Sequence, residues 1–511
     1  MSFLSSPNSS LTVRTSWLVA AKTMALAFTI AIPLLLVRRM PQHAFGLYKQ
    51  IFLVVGTAVD LLPLGFGLTA YYFLPRDEHH RNHTVLNVVV FTTAVATLFA
   101  AVLSLLPSLL ILVFSEPAAA SFAPWVGAII VLWVLGSFLE IVTIAEQDFR
   151  IATFAILAIQ ATRAAFFLTA AVFSGTVGAL VFAAVAQGLV QVGALMAYLC
   201  TRFPGFWRAF DRSFFRHQFA YALPFGVAGT LWTLQSDLHS YFVSHQFGAA
   251  AYAVYAIGCF QLPFVAIVGD SVGSVMIPRI SLFQHEQRTR EILLLTARVM
   301  RKLAAVHFPA YAFLLVMRRE FIVGLFTDRY LASIPVFAVN LTLIPLAILL
   351  VDPIMRAYAE HRHFLVKLHG LLFAGLTVAL YFSVRRFGLV GAITLMVVSN
   401  CVGRIATVAR VVRILKVEPR DIALFTDVGK IGVAAAAAGL LTAIARTLVA
   451  GAPPLVALAV CGVWFSIVYA AAILASRVIT PDEWRLVQGV LSPGSGRSSR
   501  AMMKIATSIP D

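Results

Sequence analysis

Eight side chains able to bind ions, phosphates or hydroxyl groups sit inside, or at the ends of, long apolar runs. They are Lys22, Asp60, Glu140, Arg163, Gln187, Gln191, Asp237 and Arg279. A charge at the middle of a membrane-spanning helix costs about 2.5–3.5 kcal/mol on insertion scales. Such residues therefore face a partner, a cavity or water. Asp60 is the sharpest case: it lies near the centre of "YKQIFLVVGTAVDLLPLGFGLTAYYFLPR", and its side chain is too short to snorkel far.

Spacing groups these residues. Thr230, Thr233, Ser240, Tyr241 and Ser244 surround Asp237 at helical intervals and make one polar stripe. That stripe is expected to line a central cavity, with helix–helix hydrogen bonding as the alternative. Arg163 follows Gln160 by three residues, Glu140 follows Ser137 by three, and Gln187 and Gln191 share a face four apart. Two roles are open to Arg163. One is a buried ion pair with Glu140 or Asp60; the other is a phosphate contact through two oriented hydrogen bonds. Asp352, Arg356 and Glu360, at four-residue steps, read as a self-satisfied salt-bridge row. Lys22 and Arg404 lie near helix ends, where long side chains can snorkel. Arg279, in "IPRIS", closes a span at the inner surface, and Asp270 is placed to cap or pair with it. A carboxylate that couples transport to a proton or to Na⁺ is a further role, and the sequence does not choose between the ions.

The elements that must position these groups are transmembrane helices. Of 511 residues, 60% are hydrophobic and 12% charged, with mean hydropathy +0.90. Soluble domains run about 45–50% apolar and about 25% charged. Apolar runs of about 20 residues suit roughly 30 Å of hydrocarbon, and no barrel-type alternation is present. Fourteen spans are expected, at 17–37, 51–74, 84–106, 125–145, 151–174, 176–199, 218–243, 250–273, 301–325, 334–355, 364–384, 389–411, 429–449 and 454–476. The ninth is interrupted by Arg318, Arg319 and Glu320. The first ends in "LLLVRRMPQH" without a small-residue cleavage site and reads as a retained helix. The loop "IPRISLFQHEQRTREILLLTARVMRK" reads as a short basic helix along the inner surface.

The net charge of +17 is a matter of topology. With the N-terminus inside, 27 Lys and Arg fall on the inner side and 9 on the outer, span ends included. That is the positive-inside pattern, with both termini cytoplasmic and basic loops against an anionic leaflet. Location of the charge argues against a nucleic-acid partner. Cys200, Cys259, Cys401 and Cys461 form no CxxC pair. "DVGKIG" lacks the first glycine and the Ser/Thr of a phosphate-binding loop. His79, His80 and His83, beside Asp77 and Glu78, read as a polar loop rather than a metal site. No loop is long enough for a catalytic domain, no catalytic triad is legible, and no cofactor is implied.

Two internal echoes suggest a duplicated unit of six spans. Tyr48 in "FGLYKQ" and Tyr255 in "YAVYAI" are offset by 207 residues. Gly175 and Gly178 in "GTVGALVFAAVAQ" match Gly388 and Gly391 in "GLVGAITLMVVSN" at an offset of 213. Duplicated halves around a central site are a common transporter plan.

These stretches also carry a resemblance. "AFGLYKQIFLVVGTAVDLLPLGFGLTAYYFL", "YALPFGVAGTLWTLQSDLHSYFV", "AAYAVYAIGCFQLPF", "VMIPRISLF", "GLFTDRYLASIPVF" and "GLVGAITLMVVSN" resemble the lipid-linked oligosaccharide flippases. Those are the Wzx-type O-antigen and exopolysaccharide members of the MOP exporter superfamily. The resemblance covers most of residues 15–415 and rests on loose patterns of Gly, Pro, Tyr and apolar residues. It implies an all-α polytopic protein of two pseudo-symmetric six-helix lobes plus two extra C-terminal helices. Members carry polyprenyl-pyrophosphate-linked sugars from the inner to the outer leaflet by alternating access in the bacterial inner membrane. Some members carry arginines in span one; this chain has Lys22 instead.

The expected organisation is a cytoplasmic start (1–16), an N-lobe (17–199), a linker (200–217), a C-lobe (218–411), a cytoplasmic loop (412–428), spans thirteen and fourteen (429–476) and a cytoplasmic tail (477–511). The expected partners are a lipid-linked oligosaccharide, membrane lipids and H⁺ or Na⁺, with a monomer sufficient for function. The alternatives are a cation-coupled multidrug or metabolite exporter of the same superfamily, and a membrane glycosyltransferase or polymerase. Loops 3–4, 5–6 and 7–8 are short and hold no Lys or Arg, which weighs against a polymerase.

Overall fold

The computed structural model describes residues 31–77, 79–358, 362–476 and Val478. Lys22 and most of span one lie outside them, as do Glu360 and nearly all of the tail. Among the described residues every regular element is helical. Ten segments are long and apolar enough to cross a bilayer, or eleven if a bent pair at Gly229–Gly258 and Pro263–Gly269 counts as one span. The fourteen expected spans include span one, and they include pairs that the structure runs together as one long helical segment.

The first half comprises α1 (31–39), α2 (Gln42–Leu61), α3 (Ala70–Phe73), α4 (Arg81–Leu105), α5 (Ser108–Phe114), α6 (Pro117–Ala120), α7 (Ala123–Ala145), α8 (Phe149–Phe173) and α9 (Val177–Arg202). α2 stops where Pro63 removes a donor and Leu64 and Gly65 turn left-handed, at φ 46° and 68°. The chain then resumes through α3. α7 is the most buried span and packs against α4, α8 and α9.

The second half begins with α10 (Arg212–Gly258), capped by Asp211, whose side chain accepts from the N–H groups of Ser213 and Phe214. α10 is not straight. His239 and Tyr255, sixteen residues apart, meet at 2.6 Å, whereas a straight helix would separate them by about 24 Å. The reversal lies at Gly248, at φ 75° and ψ −178°, a conformation that glycine adopts without a Cβ clash. α11 (Pro263–His285), α12 (Thr289–Val316), α13 (Arg318–Phe326), α14 (Ile334–Asn340), α15 (Leu343–Leu346) and α16 (Asp352–Ala357) follow. α17 (Arg362–Ile414) turns back at Gly388, φ 60°, so that Leu372 lies beside Gly403. Gly175, φ 62°, marks the corresponding reversal between α8 and α9. The two glycines paired at an offset of 213 therefore do the same job. α18 (Thr426–Leu448) and α19 (Pro454–Ala475) complete the described chain.

The halves meet where α2 crosses α10. With no water inside a bilayer, helix association rests on close packing, and small residues let backbones approach. A Cβ on Gly46 would lie 1.8 Å from the Ala249 carbonyl oxygen, and one on Gly226 would lie 1.9 Å from that of Leu64. These two crossings bracket the seam. Near Gly46, Ser115 meets His245 at 3.1 Å and Arg38 donates to the Gly324 carbonyl at 3.0 Å. Near Gly226, Gln218 donates to Thr69 at 2.7 Å and accepts from Asn87 at 3.1 Å. Hydrogen bonds thus accompany both crossings.

Several local expectations are corrected. Span two starts at Gln42, nine residues before the hydropathy limit. α11 continues to His285, so Arg279 lies within a helix and does not close one. The stretch expected as a surface helix is instead the end of α11 and the start of α12, joined at 286–288. Span nine is α12, and Arg318, Arg319 and Glu320 open the separate α13. Span ten is broken into α14, α15 and α16. Helix α16 ends at Ala357; Glu360 and the Arg356 side chain lie outside the described residues, so the salt-bridge row is not placed, and Asp352 faces Arg404 at 3.5 Å. Arg404 also donates to the Leu349 carbonyl at 3.2 Å. These two contacts tie α17 to the broken span.

Glu320 and Arg446 join α13 to α18 at 2.8 Å, with Glu320 largely buried. Glu320→Ala leaves Arg446 without its carboxylate and is expected to cost about 1–3 kcal/mol. Thermal unfolding in detergent should show a lower Tm for Glu320→Ala and for Arg446→Ala, with the double variant close to either single one.

Candidate functional site

Three amphipathic stripes converge in the first half. On α7, Trp133, Ser137 and Glu140 follow at steps of four and three. On α8, Ile156, Gln160 and Arg163 do the same. On α9, Gln187 and Gln191 are four apart. Together with Val59 of α2 they line a cavity of about 220 Å³. The structure thus brings together four of the eight predicted residues: Glu140, Arg163, Gln187 and Gln191.

Glycines set the fit. A Cβ at Gly136 would lie 2.8 Å from Gln191 Cγ, and one at Gly188 would lie 3.1 Å from Trp133 Cδ1. Trp133 Nε1 donates to the Ala184 carbonyl at 3.2 Å, which fixes its ring. The Arg163 guanidinium lies 4.3 Å from the centre of that ring and 5.9 Å from Phe167. A cation–π contact steadies the charge without neutralising it. The ion pairs of Arg163 with Glu140 or Asp60, open from the sequence, are not formed among the described residues. Gln187 donates to Gln191 Oε1 at 3.0 Å. Its own Oε1 is buried and accepts from no group among the described residues. Such an acceptor carries a cost of about 1–3 kcal/mol until a donor arrives.

Asp60 and Asp237 form a second locus, at the seam. Thr57 of α2 donates to Asp237 of α10 at 2.6 Å. Asp60, one turn further along α2, is exposed and within electrostatic range of Asp237. Gly56, also exposed, borders open space. The polar stripe around Asp237 is partly engaged in packing: Tyr241 stacks on Phe114 at 6.1 Å. Arg279 is half-buried on α11 and makes no ion pair or hydrogen bond among the described residues. The Asp270 side chain lies outside the description, so its pairing with Arg279 is not placed, and Lys22 lies outside it as well.

Sequence reasoning missed a buried polar network in the second half. Gln235 donates to Ser399 at 3.2 Å and its Oε1 meets His369 Nδ1 at 2.9 Å. The partners are 134 and 164 residues apart. Trp133 was missed too, although its spacing from Ser137 and Glu140 carried the signal. Among the described residues no three His, Cys, Asp or Glu side chains are grouped to hold a metal.

In the loop before α4, Asp77 bonds His80 through ring and backbone, at 2.8 and 3.1 Å. Desolvation pushes its carboxyl up, but His80, with the His79 backbone N–H, outweighs this and holds it below the usual range. Its stabilising effect is therefore present above the unfolded carboxylate value, about 3.9, and lost as pH falls through the lower folded one. Asp77→Asn should unfold at a slightly lower Tm than wild type at pH 7. The two should converge once pH falls below the folded carboxyl's lowered range.

Comparison with known proteins agrees with this architecture. A family model for polysaccharide biosynthesis proteins matches residues 35–335. Among solved structures, the chain is similar to a lipid II flippase, MurJ, in an inward closed conformation. The TM-score is 0.68 at 11% identity, covering 89% of this chain and 98% of that one. It is also similar to a multidrug resistance MATE family transporter of the MOP superfamily. The inward-facing form gives a TM-score of 0.60 at 13% identity, covering 78% and 95%. The outward-facing form gives 0.57 at 14% identity, covering 80% and 96%. No curated protein matches in sequence. At these identities the structural likeness speaks to the fold.

Proposed function

This chain belongs to the polysaccharide biosynthesis protein family, and from that premise we propose that it is a flippase for polyprenyl-pyrophosphate-linked oligosaccharide or polysaccharide precursors. The headgroup crosses from the inner to the outer leaflet between an N-lobe (17–199) and a C-lobe (218–411) by alternating access. The polyprenyl tail stays in lipid. The chain acts as a monomer in a bacterial inner membrane with both termini cytoplasmic, a placement supported by the threefold excess of Lys and Arg on one side. The observation that carries the reading is the cavity on three spans, where a guanidinium without a carboxylate partner among the described residues stands beside three glutamines and Glu140. A lipid-linked sugar needs that mixture: a forked donor for phosphate and amides for hydroxyls.

A second reading is a proton- or Na⁺-coupled exporter. The carboxylates Asp60 and Asp237, within electrostatic range of one another at the seam, favour it, since two acids suit a cation. The readings separate in cells. Under the flippase reading, depletion of the protein leaves lipid-linked sugar on the cytoplasmic face, protected from impermeant periodate in spheroplasts. Unchanged accessibility after depletion counts against it.

A further inference from the structure

We infer that the cavity between α7, α8 and α9 is a subsite for one uncharged sugar ring, and that its diphosphate is held outside it by Arg163. The inference rests on the headgroup reading above. Charge is the first argument. The cavity lining carries one cation and one carboxylate, Arg163 and Glu140. A diphosphate inside would press two or more negative charges against Glu140 with a single guanidinium to balance them. A neutral ring meets no such cost.

Donor–acceptor chemistry is the second argument. Gln160, Gln187 and Gln191 each offer N–H donors and a carbonyl acceptor, which suits hydroxyl groups that both give and take hydrogen bonds. Gln187 Oε1, on a side chain 2% exposed, lacks a donor among the described residues. A sugar hydroxyl or acetamido N–H supplies one. Size is the third. About 220 Å³ lies below the ~300 Å³ where pockets for drug-sized ligands begin. That space takes a single ring and not an oligosaccharide.

The test uses the full chain purified in detergent. Saturation-transfer NMR is recorded with methyl β-glucopyranoside and with methyl N-acetyl-β-glucosaminide, and inorganic pyrophosphate is added as competitor. At least one glycoside should receive saturation and keep it when pyrophosphate is added. Gln187→Leu should weaken that binding at least fivefold. Gly136→Ala keeps every polar group but pushes against Gln191, and should weaken it similarly. Gly193→Ala, on the same helix as Gln191 with nothing within 4 Å of its Cβ, should bind as wild type. Absence of glycoside saturation, displacement by pyrophosphate, or equal binding in all variants would overturn the inference. Glycoside binding without lipid transfer in vesicles sinks the flippase reading and keeps the subsite. Transfer without glycoside binding does the reverse.

Discussion

Arg163→Ala should slow transfer of a lipid-pyrophosphate oligosaccharide across reconstituted vesicles by roughly ten- to a hundredfold, the worth of one charge-assisted contact of about 1.5–3 kcal/mol. The size follows from where Arg163 sits. Its guanidinium is held over Trp133 at 4.3 Å and has no carboxylate partner among the described residues. Its charge is therefore available to an arriving phosphate. Were it locked in an ion pair, the variant would lose stability first and transport second. Losing the stacked cation costs the fold only about 0.5–2 kcal/mol, so Tm should drop modestly while rate collapses. Arg163→Lys should recover part of the rate, because an ammonium keeps the charge but not the fork. Wild-type rates in Arg163→Ala would return the residue to a packing role.

Gly46→Leu should abolish transport and lower the detergent Tm by several degrees. The obstacle is the carbonyl oxygen of Ala249, 1.8 Å from the would-be Cβ. Backbone cannot rotate aside as a side chain can, and overpacking costs about 1–3 kcal/mol or more. The strain falls at the end of the α2–α10 seam where Ser115–His245 and Arg38–Gly324 also bond. A cysteine placed there should react faster with an impermeant maleimide in the variant. Gly56 is the control, ten residues along the same helix with open space at its Cβ position. Gly56→Ala should be neutral or stabilising by about 0.5–1 kcal/mol, the usual helical gain. Equal effects at the two positions would contradict the crossing.

Much of this was legible in the chain itself. Ser137 with Glu140, Gln160 with Arg163, and Gln187 with Gln191 fall on single helix faces because the helix repeats every 3.6 residues. Burial in hydrocarbon then leaves those faces only an interior to meet. The paired glycines at 175 and 388 announced their own reversals. Other features had no local sign. Gln235, Ser399 and His369 meet across more than 130 residues, and periodicity cannot say which helices become neighbours. Hydropathy ended span eight at 273, yet α11 runs on to His285 because polar residues can continue a helix beyond the bilayer. The same measure put span nine too late, since the charges at 318–320 belong to α13 and only the preceding α12 spans. Arg163 left two roles open because its partner, Trp133, offers a ring face rather than an opposite charge.

The most direct test of the account is transfer by the wild-type protein itself. Purified protein is reconstituted with a short-chain polyprenyl-pyrophosphate oligosaccharide in vesicles, and arrival of the sugar at the opposite leaflet is read by an impermeant glycosidase. The account predicts time-dependent transfer well above protein-free vesicles. Failure to move any of several lipid-linked sugars, in vesicles where the same protein drives a cationic dye across under a proton or Na⁺ gradient, would contradict it and leave the exporter reading standing.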